Sequence, residues 1–180
     1  MLFNSPLTTV RDWHQARDRP LLLLDIDGVI SLFGFEPLRP PPGSFHSIDG
    51  IPHFISAAAG AHLHALSDAY QPVWCSGWEE KANEYLPYLL ELPGPLPFLS
   101  FERSPGRANA HWKLAAIDAY AGQRPLAWVD DAFNDGCHEW ARRRAAPTLL
   151  VTTSPQRGLV WNDVAALLAW AEGRAGSERP

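Results

Sequence analysis

The chain has 180 residues, the usual size of one domain, and 46% of them are hydrophobic, which excludes a disordered protein. Its 20 acidic and 15 basic residues give a net charge of −5, which argues against broad nucleic-acid binding. No apolar run approaches the ~20 residues of a membrane span, no signal sequence opens the chain, and cysteines are few, so we expect a cytoplasmic protein without a membrane partner.

Short apolar runs alternate with longer amphipathic segments along the chain. In chain order they predict strand 21–25, a Pro- and Gly-rich flap at 31–52, helix 53–69, strand 72–76, helix 78–90, strand 96–101, helix 109–121, strand 126–129, helix 135–144, strand 148–151, helix 162–171 and a disordered tail at 173–180. This alternation predicts one α/β domain with its core at about 20–172. We expect a Rossmann-like sheet of about five parallel strands with helices on both faces.

Ligands of parallel sheets bind beyond the carboxyl ends of the strands, so the polar residues there form the candidate site. Asp25 and Asp27 follow the first strand, and Gly28 allows the chain to turn sharply. Two carboxylates at this spacing can supply Mg²⁺ ligands, a nucleophile and an acid or base. The alternative is an ordinary strand exit, because Asp and Gly are common in turns.

Two further candidates lie at or near predicted helix starts. The Ser76 hydroxyl, with Gly77 and the N–H groups that follow, is suited to hold a phosphate oxygen, although a simple helix cap is the alternative. Lys113 lies near a helix start, where a positive charge is unfavourable unless the ammonium reaches an anionic group. Its alternative is a solvated surface lysine.

A group of acidic residues follows the strand at 126–129. Asp130 and Asp131 end this strand, and Asp135 comes four residues later. Like charges this close repel one another unless a cation or hydrogen-bond donors compensate, which favours a divalent metal. The alternative is a helix start rich in capping residues.

The order and strand placement of these motifs resemble the haloacid dehalogenase-like (HAD) superfamily of Mg²⁺-dependent phosphohydrolases, over about residues 21–151. The matching motifs are Asp25-Ile26-Asp27-Gly28-Val29 for Asp-x-Asp-x-Thr/Val, Ser76 for the second, Lys113 for the third, and Asp130, Asp131 and Asp135 for the acidic fourth. The stretches 74–79 and 128–131 are also similar to the HAD domain of bacterial "Swiss army knife" RNA-repair proteins.

The resemblance implies a phosphatase that works through an aspartyl-phosphate. Asp25 would be the nucleophile, and Asp27 the general acid and then the general base. Ser76 would bind the phosphoryl oxygens, and Lys113 would neutralise their charge. The implied Mg²⁺ ligands are Asp25, the backbone carbonyl of Asp27, and Asp131, with Asp130 and Asp135 as direct or water-mediated partners; spacing leaves open whether Asp130 or Asp131 is the inner ligand.

The gaps between the motifs are too short for an independent domain, so the resemblance implies a capless or nearly capless enzyme. Its phosphorylated substrate would be a small molecule or a nucleic-acid end. The candidate substrate-binding residues are Gly28, Gly77 and Trp78, and Trp78 is the best candidate for a wall of the site. A nucleic-acid end-processing phosphatase and a non-catalytic phosphate-binding or regulatory module remain as alternatives. We also expect Glu79 to cap a helix, Cys75 to be buried and not nucleophilic, and His46 and His111 to be candidate substrate contacts.

Overall fold

Seven strands and five α-helices make up the described part of the chain, residues 19–102 and 109–177 of the computed structural model. The strands are β1 (Leu21–Leu24), β2 (Ser31–Leu32), β3 (Gly43–Ile48), β4 (Ile51–Ser56), β5 (Gln71–Trp74), β6 (Leu126–Asp130) and β7 (Thr148–Thr152). The α-helices are α1 (Ala59–Leu66), α2 (Ala82–Leu89), α3 (Leu114–Ala121), α4 (Asp135–Arg143) and α5 (Trp161–Ser177). Short 3₁₀ helices, Glu79–Lys81 and Ala110–Lys113, precede α2 and α3.

A parallel four-stranded sheet in the order β5-β1-β6-β7 carries the hydrophobic core. The four leucines of β1 are completely buried. Because side chains alternate along a strand, Leu22 and Leu24 join a cluster with residues of α1, α2 and α5, whereas Leu21 and Leu23 join a second cluster with residues of α3 and α4. The prediction of an α/β fold with a parallel sheet flanked by helices is confirmed.

The predicted strand at 96–101 forms only one isolated parallel bridge, between Trp74 and Phe98, so the prediction of about five strands is wrong by one. The Trp74 N–H donates to the Pro97 carbonyl at 2.8 Å, and the Leu99 N–H donates to the Trp74 carbonyl at 2.9 Å. The prolines of this segment lack the N–H that a longer ladder requires, so pairing stops after these bonds.

The flap at 31–52 is ordered β structure. Its strands form an antiparallel sheet in the order β2-β4-β3, and β4 extends to Ser56. The predicted helix 53–69 is therefore wrong in its first part, since α1 begins only at Ala59. Pairing of β4 on both sides satisfies its backbone groups and buries Phe54 and Ile55, so tertiary contacts outweigh the helical spacing of this segment. No large cap domain is present in the described residues.

The remaining helices differ from their predictions mainly at their ends. The helices predicted over 78–90 and 109–121 each begin with a 3₁₀ turn, and α2 contains Pro87. Helix α5 continues to Ser177, so most of the segment predicted as a disordered tail is helical, and residues 178–180 lie outside the described range. Among the described helices, none is both long and apolar enough to cross a membrane.

Candidate active site

The carboxyl ends of β1, β5 and β6 border a cavity of about 830 Å³. Parallel strands place their carboxyl ends at one edge of the sheet, so residues distant in sequence meet there. The predicted site residues that line this cavity are Asp25, Asp27, Ser76, Gly77, Trp78, Lys113, Asp130 and Asp131. The structure thus brings all four motifs together.

Asp25 is held rigidly at the end of β1. Its backbone N–H donates to the Val129 carbonyl at 3.0 Å, and its Oδ1 accepts a hydrogen bond from the Ile26 N–H at 2.8 Å. The side chain is nearly buried, and its Oδ2 lies 3.0 Å from Nζ of Lys113. A buried carboxylate held by donors in this way needs little reorganisation to act on a bound ligand.

Lys113 is a buried cation at the base of the cavity. Only 3% of it is exposed, and its Nζ donates to Oδ2 of Asp130 at 2.7 Å. Burial by itself lowers the pKa of Lys113, but the charges of Asp25 and Asp130 outweigh burial, so the pKa is raised. The ammonium therefore stays charged, and the alternative of a solvated surface lysine is wrong.

Asp130 supports Lys113 from the end of β6. It is fully buried, with Oδ2 bound to Lys113 and Oδ1 accepting from the Ala132 N–H at 3.0 Å. Burial is the main cause that raises its pKa, and the charge of Asp25 adds to this effect, while Lys113 opposes it. Both oxygens of Asp130 are thus engaged by protein donors.

Asp131 is half-buried beside the turn that follows β1. Gly28 adopts a φ of +75°, and a Cβ at this position would lie 2.3 Å from Oδ2 of Asp131. Gly28 is not among the residues that line the cavity. The lack of a side chain at Gly28 admits the Asp131 carboxylate close to the backbone, and the predicted contact of Gly28 with substrate stays a prediction.

Three carboxylates could hold a metal ion together. Asp25, Asp130 and Asp131 each offer an oxygen, and these oxygens lie within 4.8 Å of one another. Such hard oxygen donors suit Mg²⁺. Of the two candidates for the inner ligand, Asp131 is the freer, because both oxygens of Asp130 accept hydrogen bonds. Asp135, predicted as a further metal partner, is exposed in the first turn of α4 and is outside this group.

Asp27 lies one step further along the turn, with a half-exposed side chain. Its Oδ2 accepts a hydrogen bond from Nε1 of Trp78 at 3.0 Å, and its Oδ1 lies 3.7 Å from Nδ1 of His53. Burial is the largest cause that raises the pKa of Asp27; the Trp78 bond lowers it, and the charge of Asp25 raises it. A carboxyl group with a raised pKa is better suited to give and take a proton than a carboxyl group with the ordinary pKa.

Ser76 is buried two residues beyond the end of β5. The N–H of its neighbour Cys75 donates to the Leu24 carbonyl at 2.7 Å, which holds this segment beside β1. The following 3₁₀ helix begins at Glu79, and its N-cap residue is Trp78, without a side-chain cap. The alternative that Ser76 caps a helix is therefore wrong, and its hydroxyl is left at the cavity wall.

The flap and the rest of β4 supply cavity residues that sequence reasoning missed. These residues are Phe33, Ile48, Asp49, Ile51 and His53. The available signal was the pair Asp49–Gly50 between two alternating segments, which is typical of a two-residue hairpin turn. Both residues have the positive φ, 52° and 77°, that such a turn requires.

Asp49 connects the hairpin tip to the segment after β5. Its carboxylate forms an ion pair with Lys81 and accepts a hydrogen bond from the Tyr85 hydroxyl at 2.7 Å. The β3–β4 hairpin is thereby held beside the cavity mouth.

The structure also places the four other residues singled out in the sequence, which are Glu79, Cys75, His46 and His111. Oε1 of Glu79 accepts from the Phe101 N–H at 2.8 Å and does not cap a helix. Cys75 is buried, as expected, and burial raises the pKa of its thiol. Neither His46 nor His111 is among the residues that line the cavity.

No protein-family model matches the chain, and no curated protein matches its sequence. The interpretation of the site therefore depends on the placement and chemistry of its own side chains.

Proposed function

We propose that the protein is a Mg²⁺-dependent phosphatase of the HAD-like type, which hydrolyses a phosphomonoester through an aspartyl-phosphate on Asp25. The observation that carries this proposal is the position of the Asp25 carboxylate, 3.0 Å from the charged Lys113 and grouped with the Asp131 oxygens in one cavity. The two hydrophobic clusters that receive alternate residues of β1 support a Rossmann-like sheet covered by helices on both faces.

The donor set fits the metal that this activity needs. Asp25 and Asp131 would hold Mg²⁺ with their carboxylates, and the backbone carbonyl of Asp27 would complete the protein's share of the ligands. When bound, the ion would offset the repulsion between these carboxylates and a phosphate dianion. Asp130 acts mainly by holding Lys113, because both of its oxygens already accept hydrogen bonds.

In the first step, an oxygen of Asp25 attacks phosphorus, and a new O–P bond forms as the ester O–P bond breaks. Asp27 donates its proton to the departing oxygen, which leaves as an alcohol. The Ser76 hydroxyl donates to a phosphoryl oxygen, and the Lys113 ammonium balances the charge on the phosphoryl group.

In the second step, a water molecule attacks the aspartyl-phosphate. Asp27, now a carboxylate, takes a proton from this water as the new P–O bond forms. The bond between Asp25 and phosphorus breaks, inorganic phosphate leaves, and both carboxyl groups return to their starting states. The raised pKa of Asp27 supports its roles as general acid in the first step and general base in the second.

The protein's own substrate is a phosphorylated molecule, and the net charge of −5 favours a small one over a nucleic-acid end. The two buried free thiols, Cys75 and Cys137, support the proposed cytoplasmic location.

Hydrolysis of p-nitrophenyl phosphate tests the proposal. We expect turnover with Mg²⁺, and loss of turnover with EDTA and in Asp25→Asn. Asp68→Asn, an exposed carboxylate that does not line the cavity, is the matched control and should retain turnover. Circular dichroism and thermal unfolding check that each variant is folded.

A folded wild-type protein that hydrolyses no phosphomonoester, and that captures no beryllium fluoride in the presence of Mg²⁺, would contradict the proposal. Binding of inorganic phosphate without turnover would then favour a phosphate-binding module.

A further inference from the structure

The wall of the cavity differs in character from its base. The base is formed by the carboxylates and the buried lysine, whereas the wall carries large apolar side chains from two parts of the fold. The flap contributes Phe33, Ile48 and Ile51, and the segments beyond the sheet contribute Trp78 and Trp112. Phe33 is 50% exposed and Ile51 is 58% exposed, so both present apolar surface that a ligand can cover.

This apolar surface lies on the side of Asp27. Trp78 donates its indole N–H to Asp27, and His53 packs edge-on against the Trp78 ring with 4.6 Å between the ring centroids. Phe33 and Asp27 both border the cavity, and both also border a second cavity of about 390 Å³ on the flap. A group that receives its proton from Asp27 therefore departs among aromatic and aliphatic side chains.

The cations at the cavity are already committed to carboxylates. Among the described lining residues the cationic side chains are Lys81 and Lys113. Lys81 is paired with Asp49, and Lys113 lies between Asp25 and Asp130. The described wall thus offers no uncommitted lysine or arginine to a second anionic group on the substrate.

We propose that the substrate is a small phosphomonoester with an uncharged leaving group that carries an aromatic ring, and that Phe33 and Ile51 select for this ring. The inference rests on the proposed function, because it takes Asp27 as the group that protonates the leaving oxygen. Aromatic rings pack well against such side chains, and their burial contributes more binding free energy than that of a short alkyl chain.

Two alkyl phosphates test this selection, because the same type of P–O bond breaks in both and only the ring differs. In 2-phenylethyl phosphate and ethyl phosphate the leaving oxygen is carried by the same type of primary carbon. We expect kcat/KM to be at least about tenfold higher for 2-phenylethyl phosphate, as the burial of a ring predicts. Phe33→Ala and Ile51→Ala should each reduce this ratio by about threefold or more.

Leu38→Ala is the control variant for these changes. Leu38 is 89% exposed in the flap and does not line the cavity, so its truncation should leave the ratio unchanged. Equal kcat/KM values for the two esters in the wild-type protein would overturn the inference. A higher kcat/KM for a phosphorylated hydroxy acid or for a 5′-phosphorylated oligonucleotide than for 2-phenylethyl phosphate would also overturn it.

A binding measurement separates this inference from the proposed function. Calorimetry with 2-phenylethyl phosphonate and ethyl phosphonate, in the presence of Mg²⁺, reports the same selection without any turnover. Tighter binding of the aromatic phosphonate by about tenfold supports the inference even if no ester is hydrolysed, in which case only the phosphatase proposal fails. Equal binding with normal turnover would overturn the inference and leave the phosphatase proposal intact.

Discussion

Trp78 holds the carboxylate of Asp27, because its indole N–H donates to Oδ2 across 3.0 Å. The two residues are 51 positions apart and meet only through the neighbouring positions of β1 and β5 in the sheet. This hydrogen bond lowers the pKa of Asp27 against the larger effect of burial, which raises it. The bond therefore orients the carboxylate of the proposed acid and base and offsets part of the effect of burial on its pKa.

We expect Trp78→Phe to move the pH profile of turnover. The variant keeps an aromatic ring but removes the donor, so the pKa of Asp27 rises further and the limb that reports its deprotonation moves to higher pH. Because the carboxyl group also loses the donor that orients it, we expect kcat at the pH optimum to fall by about threefold to tenfold, which corresponds to the net loss of one hydrogen bond of about 0.7–1.4 kcal/mol. Trp161→Phe, at an exposed position of α5, is the control. An unchanged pH profile in Trp78→Phe would show that the indole hydrogen bond does not influence the pKa of Asp27.

Gly28→Ala tests the close approach of Asp131 to the turn. The added Cβ would lie 2.3 Å from Oδ2 of Asp131, so the carboxylate must leave its present position. We expect Mg²⁺ affinity, measured by calorimetry, to fall by at least about tenfold. Gly50→Ala is a matched control, since Gly50 has a φ of +77° and nothing within 4 Å of its Cβ position.

Both glycine variants should lose about 1–2 kcal/mol of stability from backbone strain, because an L-residue is unfavourable at positive φ. Only Gly28→Ala should also lose metal affinity. Equal Mg²⁺ affinities in the two variants would show that Asp131 is not a ligand.

Lys113→Met should destabilise the protein strongly at neutral pH. The substitution leaves the carboxylates of Asp25 and Asp130 buried without their cation, and breaking a buried pair in this way costs about 3–5 kcal/mol. Urea unfolding measures the loss. Lys81→Met removes an exposed lysine and its pair with Asp49, and should change stability little.

The stability of Lys113→Met should recover as the pH falls. Burial and the charge of Asp25 raise the pKa of Asp130, and removal of Lys113 takes away a cause that lowers it. A carboxyl group with a raised pKa favours folding while it is protonated and loses this contribution as the pH rises through its folded pKa. The difference in the free energy of unfolding between the variant and the wild-type protein should therefore be smaller at pH 5 than at pH 7.5. An equal difference at both pH values would contradict a raised pKa of Asp130 as the cause.

Tyr85→Phe should loosen the β3–β4 hairpin. The variant removes the hydroxyl that donates to Asp49 at 2.7 Å and leaves the ion pair of Asp49 with Lys81. We expect faster amide hydrogen exchange in the hairpin, without a change in β1 or β6. Tyr88→Phe is the control, because Tyr88 lies on the same helix and is 87% exposed. Equal rates of amide exchange in the hairpin of the two variants would show that the Tyr85 hydroxyl does not hold the hairpin in place.

The sequence by itself predicted the α/β fold and eight of the residues that line the candidate site. Polar residues after β1, β5 and β6 could be assigned to one site because parallel strands end at a common edge of the sheet. Lys113 could be suspected from its unfavourable position near a helix start, but its burial between Asp25 and Asp130 could not be read from local spacing.

Only the tertiary structure showed that the flap is a β-sheet, that the segment 96–101 is not a strand of the parallel sheet, and how the residues of the site contact one another. Helical spacing over 53–69 lost to strand pairing, because β4 finds partners on both sides and buries Phe54 and Ile55. The distinction between Asp130 and Asp131 depends on which of them the Ala132 N–H and Lys113 reach. The contact of Lys113 with Asp130 and the pairing of β4 with β2 join segments that are separated in sequence, so no local pattern records them. Strand and turn preferences are local and can be read directly.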